Sequence, residues 1–138
     1  MRIMALDMGT KRIGVAMSDE LFLTAQGADT IYRVSLDADL AKIKKVAEDN
    51  GVGEIVVGLP INMNGTYGAK AKEVVEFMDS LAKTVAIPVK TWDERLTTVQ
   101  AENVLLEADV SRAKRKKVTD KLAAQIILQS YLNSIKKG

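Results

Sequence analysis

Ile3–Met4–Ala5–Leu6–Asp7–Met8–Gly9–Thr10–Lys11–Arg12–Ile13–Gly14–Val15–Ala16–Met17 is the stretch on which the fold turns. The run from Ile3 to Leu6 is apolar at every position, as in a core strand buried on both faces. It ends in a carboxylate that is followed at once by glycines and two cations, Lys11 and Arg12. Ile13 to Met17 then resumes the apolar pattern. The gap is too short for a helix, so the two segments pair antiparallel. Asp7 is thereby fixed at the edge of a sheet, beside backbone that can approach a phosphate closely.

Working outward, Ser18–Asp19–Glu20 reads as a turn, and a weaker strand from about Ala28 to Val34 completes a meander. Asp37 to Asn50 carries Leu40, Ile43, Val46 and Ala47 at helical spacing, with Gly51 past its end. Ile55 to Val57 is a short strand ending in Gly58, with Gly58–Leu59–Pro60 as a turn. Gly68 to about Lys83 gives a second amphipathic helix through Ala71, Val74, Val75, Met78, Leu81 and Ala82. Val89 to Trp92 is a strand that runs into Asp93 and Glu94. Thr97 or Thr98 caps an expected helix through Leu106, and Val118 to Ile135 forms the last. Two strand–helix–strand crossovers on an opening meander make an α/β fold with a mixed sheet, the first strand central. Ligands of open sheets gather beyond the carboxyl ends of parallel strands where strand order changes. Asp7, Gly58–Leu59–Pro60 and Asp93–Glu94 all follow predicted strands and are expected to share one mouth.

The chain of 138 residues fits one domain, with 47% hydrophobic and 28% charged residues, as expected of a globular protein with its own core. Histidine and cysteine are both absent. Imidazole and thiolate chemistry are thereby excluded, which leaves carboxylates, hydroxyls, amines and guanidinium groups to do any catalysis. No apolar run approaches the ~20 residues of a membrane span and the start does not read as a signal peptide, so the expected place is the cytoplasm, with no membrane partner. The net charge of +2 says little. Its distribution says more: Arg112, Lys114, Arg115, Lys116, Lys117 and Lys121 crowd a stretch whose only acid is Asp120. One basic surface facing a polyanion gives this asymmetry, and so does a solvated loop.

Aspartate at the end of a core strand is costly unless something compensates it, which makes Asp7 a candidate metal ligand. Asp93 and Glu94 are adjacent, so their side chains leave on opposite faces and only one can point toward Asp7. Glu94 has the longer reach, whereas Asp93 can hold the turn by accepting backbone hydrogen bonds. Asp120 complements the amino-terminal dipole of the last helix, but it also lies on the stripe of Ala123, Ala124 and Ile127 and can complete a cluster. Three oxygen ligands, Asp7, Glu94 and Asp120, suit Mg²⁺ or Mn²⁺. In such a site a metal activates water for in-line attack on a phosphodiester. Gly9, Thr10, Lys11, Arg12 and Arg95 are candidate phosphate contacts, as is the polar loop containing Asn62, with Arg112, Lys114, Arg115 and Lys116 as the wider nucleic-acid surface. Trp92, Tyr67 and Tyr131 are scattered and read as packing residues.

Four segments together carry a family resemblance: Leu6 to Ala16, Val57–Gly58–Leu59–Pro60 with Asn62 to Thr66, Asp93 to Thr98, and Asp120 to Ala124 with Ile127 to Leu132. In this order and at these distances they resemble the YqgF family, known as Holliday-junction resolvases or pre-16S rRNA nucleases. The resemblance runs from Met1 to Lys136. It implies one ribonuclease H-like domain over residues 1–138, with a mixed five-stranded sheet and helices on both faces. It further implies a divalent-metal nuclease site at Asp7, Glu94 and Asp120, basic surroundings at Lys11, Arg12 and Arg95, and a role in maturing the 5′ end of precursor 16S rRNA, with ribosomal particles as further partners. Met8 stands where an aromatic residue is common in the family, and Asn64 where aspartate is frequent. Three other readings stay open: a junction resolvase acting on DNA, a noncatalytic RNA-binding assembly factor, and an actin-like ATPase phosphate-binding domain, the last suggested by Asp7–Met8–Gly9–Thr10 with Gly14. A monomer and a homodimer are both compatible with the sequence.

Overall fold

The computed structural model describes residues 1–96 and 112–137; the side chains of residues 96, 112–121, 136 and 137 lie outside the described set. The strands are β1 (Arg2–Met8), β2 (Arg12–Ser18), β3 (Ala25–Gly27), β4 (Ile31–Tyr32), β5 (Val52–Leu59) and β6 (Val89–Asp93). The helices are α1 (Leu36–Asp49), α2 (Ala69–Thr84) and α3 (Arg112–Lys137), with a single 3₁₀ turn at Glu94–Leu96. The sheet runs in the order β3-β2-β1-β5-β6, with β4 also paired to β2. β1 is antiparallel to β2 and parallel to β5, and β5 is parallel to β6. The sheet is therefore mixed, with β1 at its centre.

Of the strand expected over Ala28 to Val34, Ile31–Tyr32 alone is a strand, and a further short strand, Ala25–Gly27, precedes it, which makes the sheet six-stranded. Ala28 and Asp29 between them are poor strand formers, and each short strand takes its own part of β2: Ala25–Gly27 opposite Ala16–Ser18, and Ile31–Tyr32 opposite Arg12 and Ile13. β5 begins earlier than its apolar run and extends through Leu59, because Val52 and Glu54 pair with Arg2 and Ile3 of the central strand. Gly58 thus belongs to a strand and not to a turn. The helix expected from Thr97 or Thr98 to Leu106 lies outside the described residues.

Alternation along β1 divides the core. Met4, Leu6 and Met8 face one side, where they meet Leu40, Ile43 and Ala47 of α1 and Ala71, Val74, Phe77 and Leu81 of α2. Ile3 and Ala5 face the other side, under Ala124, Ile127, Leu128 and Leu132 of α3. Helices cover both faces, which is why the central strands read as continuous apolar runs. α1 starts at the N-cap Ser35, whose hydroxyl accepts from the Ala38 amide at 3.2 Å; Asp37 and Asp39 lie in its first turn and Gly51, at φ +65°, follows its end. The direction of α3 is set by two contacts. Tyr131 donates its hydroxyl to Glu54 near the start of β5, whereas Ile127 reaches Gly58 near its end. The helix therefore runs antiparallel to β5, and its amino-terminal turns lead toward the carboxyl edge of the parallel strands.

Candidate active site

Asp7 lies on the face of β1 shared by Ile3 and Ala5, the side covered by α3. Its cross-strand partner on β2 is Gly14, which adds no side chain beside it. On the other side the parallel register Leu6↔Val57 brings Gly58 next to it. The carboxylate thus stands between two glycines. A Cβ built on Gly58 would lie 2.9 Å from both Cγ and Cδ of Glu94 and 2.7 Å from Cδ1 of Ile127. The space that a side chain would fill at Gly58 is taken by Glu94, which crosses it from the turn after β6.

The carboxyl groups of Glu94 and Asp7 share a hydrogen bond. Burial, followed by that bond and by the negative charge of Asp7, pushes the Glu94 pKa up to about 9, and the Lys70 cation in the first turn of α2 works against the rise. At neutral pH the pair therefore holds a proton between its two carboxyl groups in the metal-free protein. In the unfolded chain Glu94 would lose its proton near 4.5. Between these two values the folded state binds more protons than the unfolded state, so rising pH destabilises it. In chelator, the melting temperature of the Glu94→Gln protein is therefore expected to gain on that of the wild type from about pH 5 to about pH 9. A difference that stays constant across the series would place the proton elsewhere.

Asp93 is committed to a different task. Its Oδ1 accepts from the Arg95 amide at 3.0 Å, and its two oxygens accept from Arg95 Nε at 3.1 and 2.9 Å and from Nη2 at 2.6 Å. The guanidinium holds the Asp93 carboxyl below its ordinary range. Asp93 shapes the turn and fixes Arg95, while the adjacent Glu94 reaches Asp7. The fixed guanidinium stands 3.8 Å from where a Cβ would sit on Gly65, in the loop that follows β5. That loop is closed on itself: the Asn62 amide donates to the Thr66 carbonyl at 3.0 Å, and the Thr66 hydroxyl donates to Asn64 Oδ1 at 2.6 Å. Asn62 itself is exposed.

Gly9, Thr10, Lys11 and Arg12 form the tight turn between β1 and β2, closed by the Gly9 amide donating to the Arg12 carbonyl at 2.8 Å. A Cβ on Gly9 would meet that same carbonyl oxygen at 2.5 Å, so glycine is required there by close approach. Thr10 and Lys11 are exposed and Arg12 is half-buried. Arg112, Lys114, Arg115, Lys116 and Asp120 all belong to α3, which begins earlier than the expected Val118; their side chains lie outside the described residues. Gly58, expected as part of a turn at the shared mouth, is instead the strand position that Glu94 crosses. Lys70 is a site residue that the sequence reading missed, because a cation in the first turn of an amphipathic helix carries no local signal of what lies beside it.

Asp7 and Glu94, with neither imidazole nor thiolate nearby, offer only oxygen donors, and two acids forced to share a proton gain from replacing it with a hard cation. The donor set therefore fits Mg²⁺ or Mn²⁺. Among the described residues no third acid joins the pair.

The class follows from the sheet order and from comparison with solved structures. The structure matches that of T. thermophilus RuvC in complex with a Holliday junction substrate at a TM-score of 0.61, with 13% identity, covering 98% of this chain and 96% of that one. The chain has the ribonuclease H-like fold of RuvC-type resolvases. Residues 1–134 match the family model described as RuvX: Holliday junction resolvase, and the chain belongs to that family, which the motifs identified as YqgF. Two relatives carry the name "Putative pre-16S rRNA nuclease". The one from Symbiobacterium thermophilum is 58% identical over 134 residues, covering 97% of this chain and 93% of the relative. The one from Halothermothrix orenii is 56% identical over 133 residues, covering 96% and 95%.

Proposed function

We propose that this chain is a divalent-metal-dependent nuclease that hydrolyses phosphodiester bonds in the cytoplasm, maturing the 5′ end of precursor 16S rRNA. The observation that carries the reading is the shared hydrogen bond of Asp7 and Glu94 at the carboxyl edge of β1, β5 and β6. The names of the relatives support the choice of substrate. Asp7 and Glu94 hold the metal, and Asp120, on an α3 that leads toward the same edge, supplies the third carboxylate. A bound Mg²⁺ or Mn²⁺ lowers the pKa of water and neutralises charge on the leaving oxygen.

The protein's own groups do the rest. To serve as a ligand Glu94 would have to be ionised, so metal affinity would rise with pH. Arg95, immobilised by Asp93, presents its remaining donors to nonbridging phosphate oxygens, and its fixed geometry lowers the entropy lost on binding. Gly9, Thr10, Lys11 and Arg12 offer backbone and cations at the opposite lip, and Asn62 offers an amide from the loop. Arg112, Lys114, Arg115 and Lys116 draw in the polyanion along α3.

A cleavage panel with precursor 16S rRNA, single-stranded RNA, single-stranded DNA and a four-way DNA junction, each with and without Mn²⁺, tests this reading. Metal-dependent cleavage with preference for precursor rRNA is expected. Preferential cleavage of the junction would move the activity to DNA. Binding of RNA without any product, with or without metal, would make the chain an assembly factor.

A further inference from the structure

Arg33 follows β4 and reaches across to the turn that carries the catalytic edge. Its amide donates to the Lys11 carbonyl at 2.9 Å, and its Nη1 donates to the Gly9 carbonyl at 2.8 Å. The same guanidinium donates through Nε to Asp39 Oδ2 at 3.3 Å and lies 5.7 Å from the centre of the Phe77 ring. Asp39 is 3% exposed, in the first turn of α1, and its other oxygen accepts from the Val34 amide at 3.0 Å. Three elements of the fold, the β1–β2 turn, the segment after β4 and the start of α1, are therefore tied through one planar cation.

An ion pair with one deeply buried partner is a poor way to gain stability, because desolvation offsets much of the attraction and an apolar pair of the same volume often does as well. What this pair supplies is direction. A guanidinium presents donors at fixed angles, so one edge can be locked on a buried carboxylate while another holds a carbonyl in place. The carbonyl it holds belongs to Gly9, two residues beyond Asp7, in a turn where the glycine is already in close approach to Arg12. Asp7 itself sits at the end of its strand, where the ladder to β2 stops at Met8↔Ile13. Its orientation thus depends on how the turn beyond it is held.

We propose that Arg33, locked by Asp39, is a positioning residue for the nuclease reaction: by holding the Gly9 carbonyl it sets the orientation of the Asp7 carboxylate and of the Lys11–Arg12 lip. The inference rests on the reading of Asp7 as a metal-holding carboxylate. Groups bonded directly to a metal ligand carry about 10- to 100-fold in metal affinity or activity; Arg33 acts one step further out, through the Gly9 carbonyl, and belongs at the low end of that range. Lysine at this position keeps the charge but cannot bond Asp39 and Gly9 in the same fixed geometry.

The test uses the full-length Arg33→Lys and Asp39→Asn proteins alongside the wild type and Asp7→Asn, with Mn²⁺-dependent cleavage of RNA, direct Mn²⁺ binding by calorimetry and thermal melting as readouts. Arg33→Lys is expected to lower kcat and raise the half-saturating Mn²⁺ concentration, each by about tenfold, with little change in KM for RNA. Asp39→Asn, nearly isosteric, is expected to move the same two quantities in the same direction by less. A merely structural role would scale the rate by the fraction of folded protein and leave the half-saturating Mn²⁺ unmoved. Normal kcat and Mn²⁺ dependence in both variants, with Asp7→Asn inactive, would overturn the positioning role alone. Mn²⁺ binding that is identical in the wild type and Asp7→Asn would overturn it together with the metal site on which it rests.

Discussion

Asp7→Asn protein is expected to cleave precursor 16S rRNA on the order of 10³-fold more slowly than the wild type at saturating Mg²⁺, which corresponds to about 4 kcal/mol of lost transition-state stabilisation. Asparagine keeps the size and one oxygen of the side chain, so the packing between Gly14 and Gly58 survives. What disappears is the negative charge that would hold the cation beside Glu94. Affinity for RNA is expected to fall by less than about threefold, because binding to a polyanion is dominated by cations and counterion release and Asp7 contributes neither. Gel-shift titration and single-turnover cleavage on the same preparation separate the two effects. A variant that retains cleavage within about tenfold of the wild type would remove Asp7 from the chemistry.

Gly58→Ala is expected to produce the second-largest loss, about 10²-fold in cleavage, although it alters no charge and no polar group. The added Cβ would lie 2.9 Å from Glu94 Cγ and Cδ and 2.7 Å from Ile127 Cδ1. Ile127 presents the free end of a flexible side chain and can rotate away. Glu94 is met in the middle of its side chain and has to leave the path across β5 that brings its carboxyl to Asp7. Overpacking of this kind costs about 1 to 3 kcal/mol in stability, so melting is expected to drop by several degrees while the fold persists. The half-saturating Mn²⁺ concentration is expected to rise together with the loss in rate. Full activity in Gly58→Ala would mean that Glu94 reaches its partner by another route.

Much of this architecture is written in local pattern. A central strand covered on both faces has to be apolar throughout, and Ile3 to Leu6 is; the hairpin to β2 follows because the intervening turn is too short for anything else. α1 and α2 show in their spacing because each buries one stripe against the sheet. β3 was missed and β4 was expected to be longer, since two- and three-residue strands carry too little pattern to show their ends. Alternation allowed only one of Asp93 and Glu94 to face Asp7, and the longer reach of Glu94 favoured it. The structure shows what the sequence could only leave open: Asp93 is bound to Arg95 by its own turn, and Glu94 meets Asp7.

The parts that stayed illegible are those that depend on residues distant in sequence. Gly58 has to be glycine because of Glu94 and Ile127, neither of which is its neighbour in the chain. Asp39 falls in the first turn of α1, where an acid is expected for the helix dipole alone. Its burial and its hold on Arg33 become visible only once β4 is folded against the β1–β2 turn. Lys70 reads as an ordinary helix cation until the start of α2 is brought near Glu94. In each case the residue type is common and the meaning comes from what the topology sets beside it.

The claim beneath all of this is that Asp7 and Glu94 act as one metal-binding unit. Calorimetric titration of Mn²⁺ into the wild type, Asp7→Asn, Glu94→Gln and the double variant measures it directly. Each single substitution is predicted to weaken binding about as much as both together, the strong non-additivity of two ligands that serve one ion. Four equal affinities, or losses that simply add, would contradict a shared centre.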